Sequence, residues 1–249
     1  MSPLFHWMRR AFGATPSKPT IQPPSTNPLS TSQGGSSPRQ NDESLPQVGT
    51  VAQTNRASRV LTNTDFAAAA RALDCSVAAV RAVAHVESST SGFLPDGRPT
   101  ILFEAHIFDR LTKGRYRDFA DTRGIPISTQ NWTRKNYGES GAFQYTRLRV
   151  AASYDFNAAH EATSWGVFQL MGMNWKALGY ADLTQFLGCM ESATGQLDGF
   201  VRFVRLNNLA SALQTLDWKQ FALKYNGPGY AQNAYDAKMA AAYARFRDA

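Results

Sequence analysis

Cysteine is nearly absent from this chain. Cys75 and Cys189 are the two it has, too few for a disulfide framework and without the paired spacing of a zinc site. That scarcity fits synthesis in the cytoplasm and leaves one optional disulfide open. Long apolar runs are missing as well. Arg, Lys, Asp or Glu interrupts every hydrophobic stretch well before the roughly 18 residues that a membrane span needs, which argues against an integral membrane role. The four histidines, His6, His85, His106 and His160, are scattered. Neither His85-Val86-Glu87 nor His160-Glu161 has the two-histidine helical spacing of a zinc hydrolase, and no Gly-x-Ser-x-Gly elbow occurs. Metal hydrolysis and a serine nucleophile therefore have no support, and no metal or cofactor is expected.

Charge is sparse, at 18% of 249 residues, and its excess is mild. Of the +7 formal charge, Met1 to Ser58 holds 5 basic and 2 acidic residues, leaving 21 basic and 17 acidic from Arg59 onward. Interspersed charge of this size does not argue for nucleic-acid binding, which concentrates Lys and Arg on one face. A diffuse positive surface also suits other polyanions, cell-wall material among them.

Proline is spent early: 8 of the 12 fall before Val48. The stretch from Pro16 to Pro46 is mostly Ser, Thr, Pro, Gln, Asn and Gly, which buries too little apolar surface to offset chain entropy. Residues 1–58 are expected to be a disordered tail and linker, and 59–249 the folded domain. Within the tail, Pro3 to Phe12 mixes bulky apolar residues with Arg9 and Arg10. The positive charge follows the apolar part, the reverse of a secretory signal, so a frayed terminus or a short docking motif fits better.

From Leu61 the pattern turns helical. Asn63 or Thr64 can cap a helix through Leu73, and Asp74 or Ser76 the next one. Gly92 to Phe103 reads as strand, turn and strand around Pro95-Asp96-Gly97-Arg98. Thr112 to Ser140 reads as a long loop with a helical turn or two. Helical patterning then recurs at 142–153, 157–162, 165–171, 182–190, 192–207, 210–216, 218–224 and 230–247, with no fixed-period repeat. The expected fold class is mainly α, with one small β-hairpin.

The chemistry begins at Glu87. Val77, Val80, Val83, Ala84 and Glu87 share one helical stripe, so a carboxyl group near the negative end of a helix points to the core side. Desolvation and the helix field both favour its protonated form, the profile of a general acid. A salt bridge to Arg81 is the structural alternative. Glu104 ends the strand Ile101-Leu102-Phe103 and can supply the second carboxylate that glycoside hydrolysis needs; pairing with Arg98 or Arg110 is its alternative. Ser164-Trp165-Gly166-Val167-Phe168-Gln169 and Tyr225-Asn226-Gly227-Pro228-Gly229-Tyr230 bring glycines, amides and rings where a saccharide can be held. Trp132, Tyr137, Phe143, Tyr145 and Trp165 are candidate stacking faces or core, and Arg115, Arg117, Arg123, Arg134 and Lys135 candidate contacts for an anionic ligand or plain solvated loop charge. His85 and His106 read as hydrogen-bonding neighbours of the two carboxyls.

Taken in order, Ala84-His85-Val86-Glu87-Ser88-Ser89, Leu102-Phe103-Glu104-Ala105-His106, Ser164 to Gly172 and Tyr225 to Tyr230 resemble the N-acetylmuramidase domain of phage endolysins. They also echo goose-type lysozymes and soluble lytic transglycosylases. The resemblance covers Leu61 to the C-terminus. It implies an α+β lysozyme-like fold with a saccharide cleft, and cleavage of the bond between N-acetylmuramic acid and N-acetylglucosamine in bacterial peptidoglycan. By the same resemblance Glu87 is the catalytic acid, Glu104 assists by positioning water, and Ser164, Gln169, Tyr225 and Asn226 line the groove. Endolysins of this family commonly carry a peptidoglycan-binding domain ahead of the catalytic one, where this chain has its Pro-rich tail. A phage lysin causing cell lysis is the simplest reading, expected to act on the periplasmic wall as a monomer. A secreted antibacterial effector, a lytic transglycosylase giving anhydro products and a catalytically dead glycan-binding module are the alternatives.

Overall fold

The computed structural model of the chain describes residues 59–87 and 92–248; the expected tail, 1–58, lies outside the described residues. The described residues form ten α-helices and a small three-stranded antiparallel sheet. The first helix, α1 (Asn63–Leu73), is capped by Thr62 in a capping box with Asp65, one residue before the predicted cap. In α2 (Val77–Glu87) the predicted Ser76 does the capping, its Oγ accepting from Ala79 N–H at 3.2 Å.

Helix α2 runs through the core. Ala79, Val80, Ala82, Val83 and Ala84 are all buried, and the small alanines let α10 (Tyr235–Arg247) pack along α2 more extensively than any other element. A second buried stripe comes from α7 (Ala193–Leu206), whose Leu197, Phe200, Val201, Phe203 and Val204 are inside. Phe200 stacks on Phe168 with centroids 4.5 Å apart, and Phe221 of α9 (Trp218–Asn226) stacks on Tyr225 at 5.3 Å. Each such ring removed from water contributes roughly 1.5–3 kcal/mol before chain entropy is counted.

The sheet is built differently from the sequence expectation. A turn does form at 94–98: Leu94 N–H donates to Arg98 O at 2.8 Å, and Gly97 takes φ +89°, which a side chain would resist. Only one isolated bridge, Phe93 to Pro99, joins the flanks. Pro95 and Pro99 have no N–H to extend a ladder. Instead β1 (Ile101–Phe103) pairs with β2 (Thr163–Trp165), in register Ile101–Trp165, Leu102–Ser164 and Phe103–Thr163, and β2 pairs with β3 (Leu170–Met171). The segment 165–171, expected to be helical, is thus a strand, turn and strand. Gly166 at φ +71° and Gln169 at φ +49° make the turn, and Trp165, Phe168, Leu170 and Met171 are all buried, so no polar helical face exists there.

Between these parts lie α3 (Ala105–Leu111), α4 (Ala142–Ala152), α5 (Phe156–Glu161), α6 (Leu183–Met190) and α8 (Ala210–Gln214). The long loop carries a 3-10 turn at Arg134–Asn136 and a bridge from Ala120 to Pro126. The last predicted helix is broken. A 3-10 turn at Tyr230–Asn233 ends at Ala234, φ +49°, before α10 begins. Cys75 and Cys189 are free thiols.

Candidate active site

Glu87 is the final residue of α2 and is 6% exposed. Its Oε1 lies 3.4 Å from Asn226 Nδ2, which donates to it from the end of α9. Burial pushes its carboxyl up to about 8, against a modest downward pull from the Asn226 amide. The group is therefore a protonated acid at neutral pH. Arg81, the alternative partner, is engaged elsewhere: its guanidinium donates to Asn63 at 2.5 Å and lies over the Phe66 ring.

Glu104 sits at the junction of β1 and α3 and is 0% exposed. Its backbone is pinned on both sides. Its N–H donates to Ala162 O at 3.0 Å, and its C=O accepts from Ile107 and Phe108. The side chain caps nothing; its Oε2 accepts from Tyr137 Oη at 2.5 Å, with His106 Nδ1 at 3.6 Å. Neither expected arginine is its partner, since Arg98 pairs with Asp96 and Arg110 reaches Met173 Sδ. Both carboxyls are thus buried and each accepts a donor, Glu104 from the Tyr137 hydroxyl and Glu87 from the Asn226 amide.

The loop that carries Tyr137 is tied down by α4. Gln144, fully buried, accepts from Phe103 N–H at 3.2 Å and donates to Tyr137 O and Glu139 O at 2.8 and 2.6 Å. One side chain thus fixes the strand before Glu104 and the hydroxyl that binds it. Arg147, also fully buried, pairs with Asp121 at 3.0 Å and donates to Pro126 O and Tyr137 O. Among the loop arginines, Arg117 pairs with Asp109 and Arg123 with Glu139.

The remaining candidates fall into two groups. Tyr225 and Asn226 stand with Glu87 at the end of α9. Tyr225 is 0% exposed, ringed by Phe200, Phe203 and Phe221, so it meets the site from behind. Ser164 and Gln169 belong to the sheet. Ser164 Oγ donates to Gln169 Oε1 at 2.8 Å, and Gln169 Nε2 donates to Gly166 O at 2.7 Å and Thr100 O at 3.3 Å. Gln169 therefore holds its own turn against β1. The segment leaving α2 joins this sheet through Thr100 N–H to Gly92 O, 2.9 Å. Of the aromatic candidates, Phe143 and Trp165 are buried, Tyr145 is half-buried under Arg98, and Trp132 is 44% exposed. Trp132 Nε1 donates to Tyr137 Oη at 2.6 Å.

Sequence reading missed Gln144, Arg147 and Asp121, and treated Tyr137 only as a stacking face. The available signal was a buried-type mismatch in α4, where Gln144 and Arg147 stand on the same face as Leu148 and Ala151. Among the described residues no group of three or more His, Cys, Asp or Glu side chains gathers to hold a metal. No described helix is long and apolar enough to cross a membrane.

The N-acetylmuramidase family model matches residues 76–247, a span that includes both carboxyls, Ser164, Gln169, Tyr225 and Asn226. No curated protein matches the chain. Among solved structures, the crystal structure of the Burkholderia AP3 phage endolysin is similar, with a TM-score of 0.71 and 42% sequence identity, over 80% of this chain and 76% of that one. With the helical body and the small sheet in place, the fold is lysozyme-like and the chain belongs to the N-acetylmuramidase family.

Proposed function

We propose that this chain is a phage endolysin that hydrolyses the β-1,4 bond between N-acetylmuramic acid and N-acetylglucosamine, with Glu87 as general acid and Glu104 as the carboxylate partner. The observation that carries the reading is the environment of Glu87. It is buried against an amide and stays protonated to about pH 8, the state of a general acid; Glu104, buried as well, accepts from the Tyr137 hydroxyl. In the reaction Glu87 gives its proton to the glycosidic oxygen as the C1–O bond breaks. Water adds to C1 of the muramic residue, and Glu104 takes the proton that water releases. Solvent then restores both groups.

Asn226 holds Glu87, and Tyr225 backs it. Ser164 and Gln169 shape the sheet edge of the groove. Residues 59–249 are the catalytic domain in this reading, and 1–58 a tail. The partner is peptidoglycan, with no nucleic acid, and the protein works as a monomer that reaches the periplasmic wall after synthesis in the cytoplasm. The similarity to a phage endolysin supports release at lysis over delivery as an effector.

Mass spectrometry of fragments released from Gram-negative peptidoglycan by the wild type and by Glu87→Gln tests the reading. Reducing N-acetylmuramic acid ends, absent with the variant, are expected. Anhydro-muramic ends would make the chain a lytic transglycosylase, and no cleavage by the wild type would make it a binding module.

A further inference from the structure

Trp132 and Tyr137 lie five residues apart in the loop beside Glu104, with opposite exposure. Trp132 is 44% exposed and Tyr137 only 7%. Their rings stand 6.2 Å apart at 60°, and they are joined by the 2.6 Å bond from the indole N–H to the phenol oxygen. The phenol in turn donates to Glu104 Oε2 at 2.5 Å. An indole N–H can only donate, so Trp132 donates to Tyr137, and the phenol that accepts there has its own O–H to give to Glu104 Oε2. Accepting a bond from the indole polarises the phenol O–H and strengthens the bond it gives.

The anchoring is asymmetric. Tyr137 is held through its backbone by Gln144 and Arg147. The indole, 44% exposed, is oriented by its bond to Tyr137. An indole face of this kind packs well on the carbon-hydrogen face of a pyranose ring.

We infer that Trp132 and Tyr137 form one relay, in which a sugar ring packed on Trp132 fixes the hydrogen-bond chain that holds Glu104 as the charged partner carboxylate. This rests on the assignment of Glu104 under Proposed function. Trp132 is the sugar-binding member and Tyr137 a positioning residue.

The charged and polar groups of the neighbouring elements are engaged elsewhere. On α3, Asp109 is taken by Arg117 and Ser128, and Arg110 faces Met173. On α4, Arg147 is taken by Asp121. On β2 and its turn, Ser164 and Gln169 bond each other. Glu87 on α2 stays neutral up to about pH 8. His106 Nδ1 lies 3.6 Å from Oε2 and is unchanged in every variant below.

The test is kcat and KM of the full chain on solubilised glycan strands from about pH 4 to about pH 9, for the wild type, Tyr137→Phe, Trp132→Phe, Trp132→Ala and Glu104→Gln, with thermal melts alongside. A hydroxyl donor favours the charged form of a carboxyl group, so losing the phenol moves an activity limb set by Glu104 to higher pH. Tyr137→Phe is expected to lower kcat about tenfold, leave KM within about twofold, and move the acidic limb up by roughly one pH unit. Trp132→Phe keeps a ring and loses the N–H, so its limb moves the same way by less. Trp132→Ala also raises KM several-fold, to about the extent that one lost stacking contact predicts.

A Tyr137→Phe profile whose acidic limb stays at the wild-type position overturns the relay, as does a Trp132→Phe profile indistinguishable from wild type. Wild-type KM in Trp132→Ala overturns the sugar platform. Trp132 is exposed, so its variants remain informative if Tyr137→Phe does not fold. Glu104→Gln separates the two levels. If it is active, the assignment of Glu104 has failed; if it is inactive while the limbs stay put, that assignment stands and the relay alone falls.

Discussion

Asn226 ends α9 and Glu87 ends α2, and their side chains meet at 3.4 Å. Two helix C-termini, each the negative end of its dipole, thus converge on one carboxyl group. Neither end favours a second negative charge there, and burial does the rest.

Glu87→Gln is expected to fold and to lose activity by about a thousandfold, because the amide keeps the shape and has no acidic proton to give. The wild-type carboxyl, raised from 4.5 to about 8, holds a proton in the folded state that the unfolded chain releases. Its contribution is complete below about pH 4.5 and is lost as pH rises through about 8. The Gln variant lacks that loss, so it should match the wild type near the lower limit and exceed it above the upper one, by on the order of a few kcal/mol. Denaturant midpoints at both ends of the window check this.

Activity should show an alkaline limb near pH 8, where Glu87 gives up its proton. Asn226→Leu removes a donor that favours the charged form, so Glu87 stays neutral to higher pH and the limb moves up. A pH profile of kcat/KM for both proteins decides it; a limb that moves down would show that the amide acts through something other than this bond.

Gln144→Leu should destabilise the protein by roughly 2–4 kcal/mol, since Phe103 N–H, Tyr137 O and Glu139 O lose their partner in a buried place. The urea midpoint reports the loss. Activity per folded molecule should fall as well, because Tyr137 is no longer held beneath Glu104.

Asp121→Ala strands the Arg147 guanidinium and frees the Arg123 and Ile125 N–H groups that Asp121 also accepts from. A cost of about 3–5 kcal/mol is expected. The double variant Asp121→Leu/Arg147→Met, with no charge left to strand, should recover much of it. Equal midpoints for the single and double variants would mean that the backbone bonds, and not the ion pair, carry the stability of this loop.

What the sequence by itself determined is the local part. Helices such as α6 and α7 were legible because their bonds run four residues back along the chain and their caps, Asp182 and Ser192, sit next to the apolar stripe they start. The stripe of α2 placed Glu87 on the core side for the same reason. The order of the motifs carried the family. The rest depended on pairs far apart in sequence. Folding put β1 against β2 across some 60 residues, where nothing in 92–103 names its partner. It turned 165–171 into a strand pair, because burial on every side removed the polar face a helix needs. It gave Gln169 to its own turn and enclosed Tyr225 in rings, and it delivered Tyr137 to Glu104 over 33 residues and Asn226 to Glu87 over 139. Periodicity encodes which face of an element is buried; what that face meets is set when the whole core closes, and the protonation of a buried carboxyl is set by what it meets.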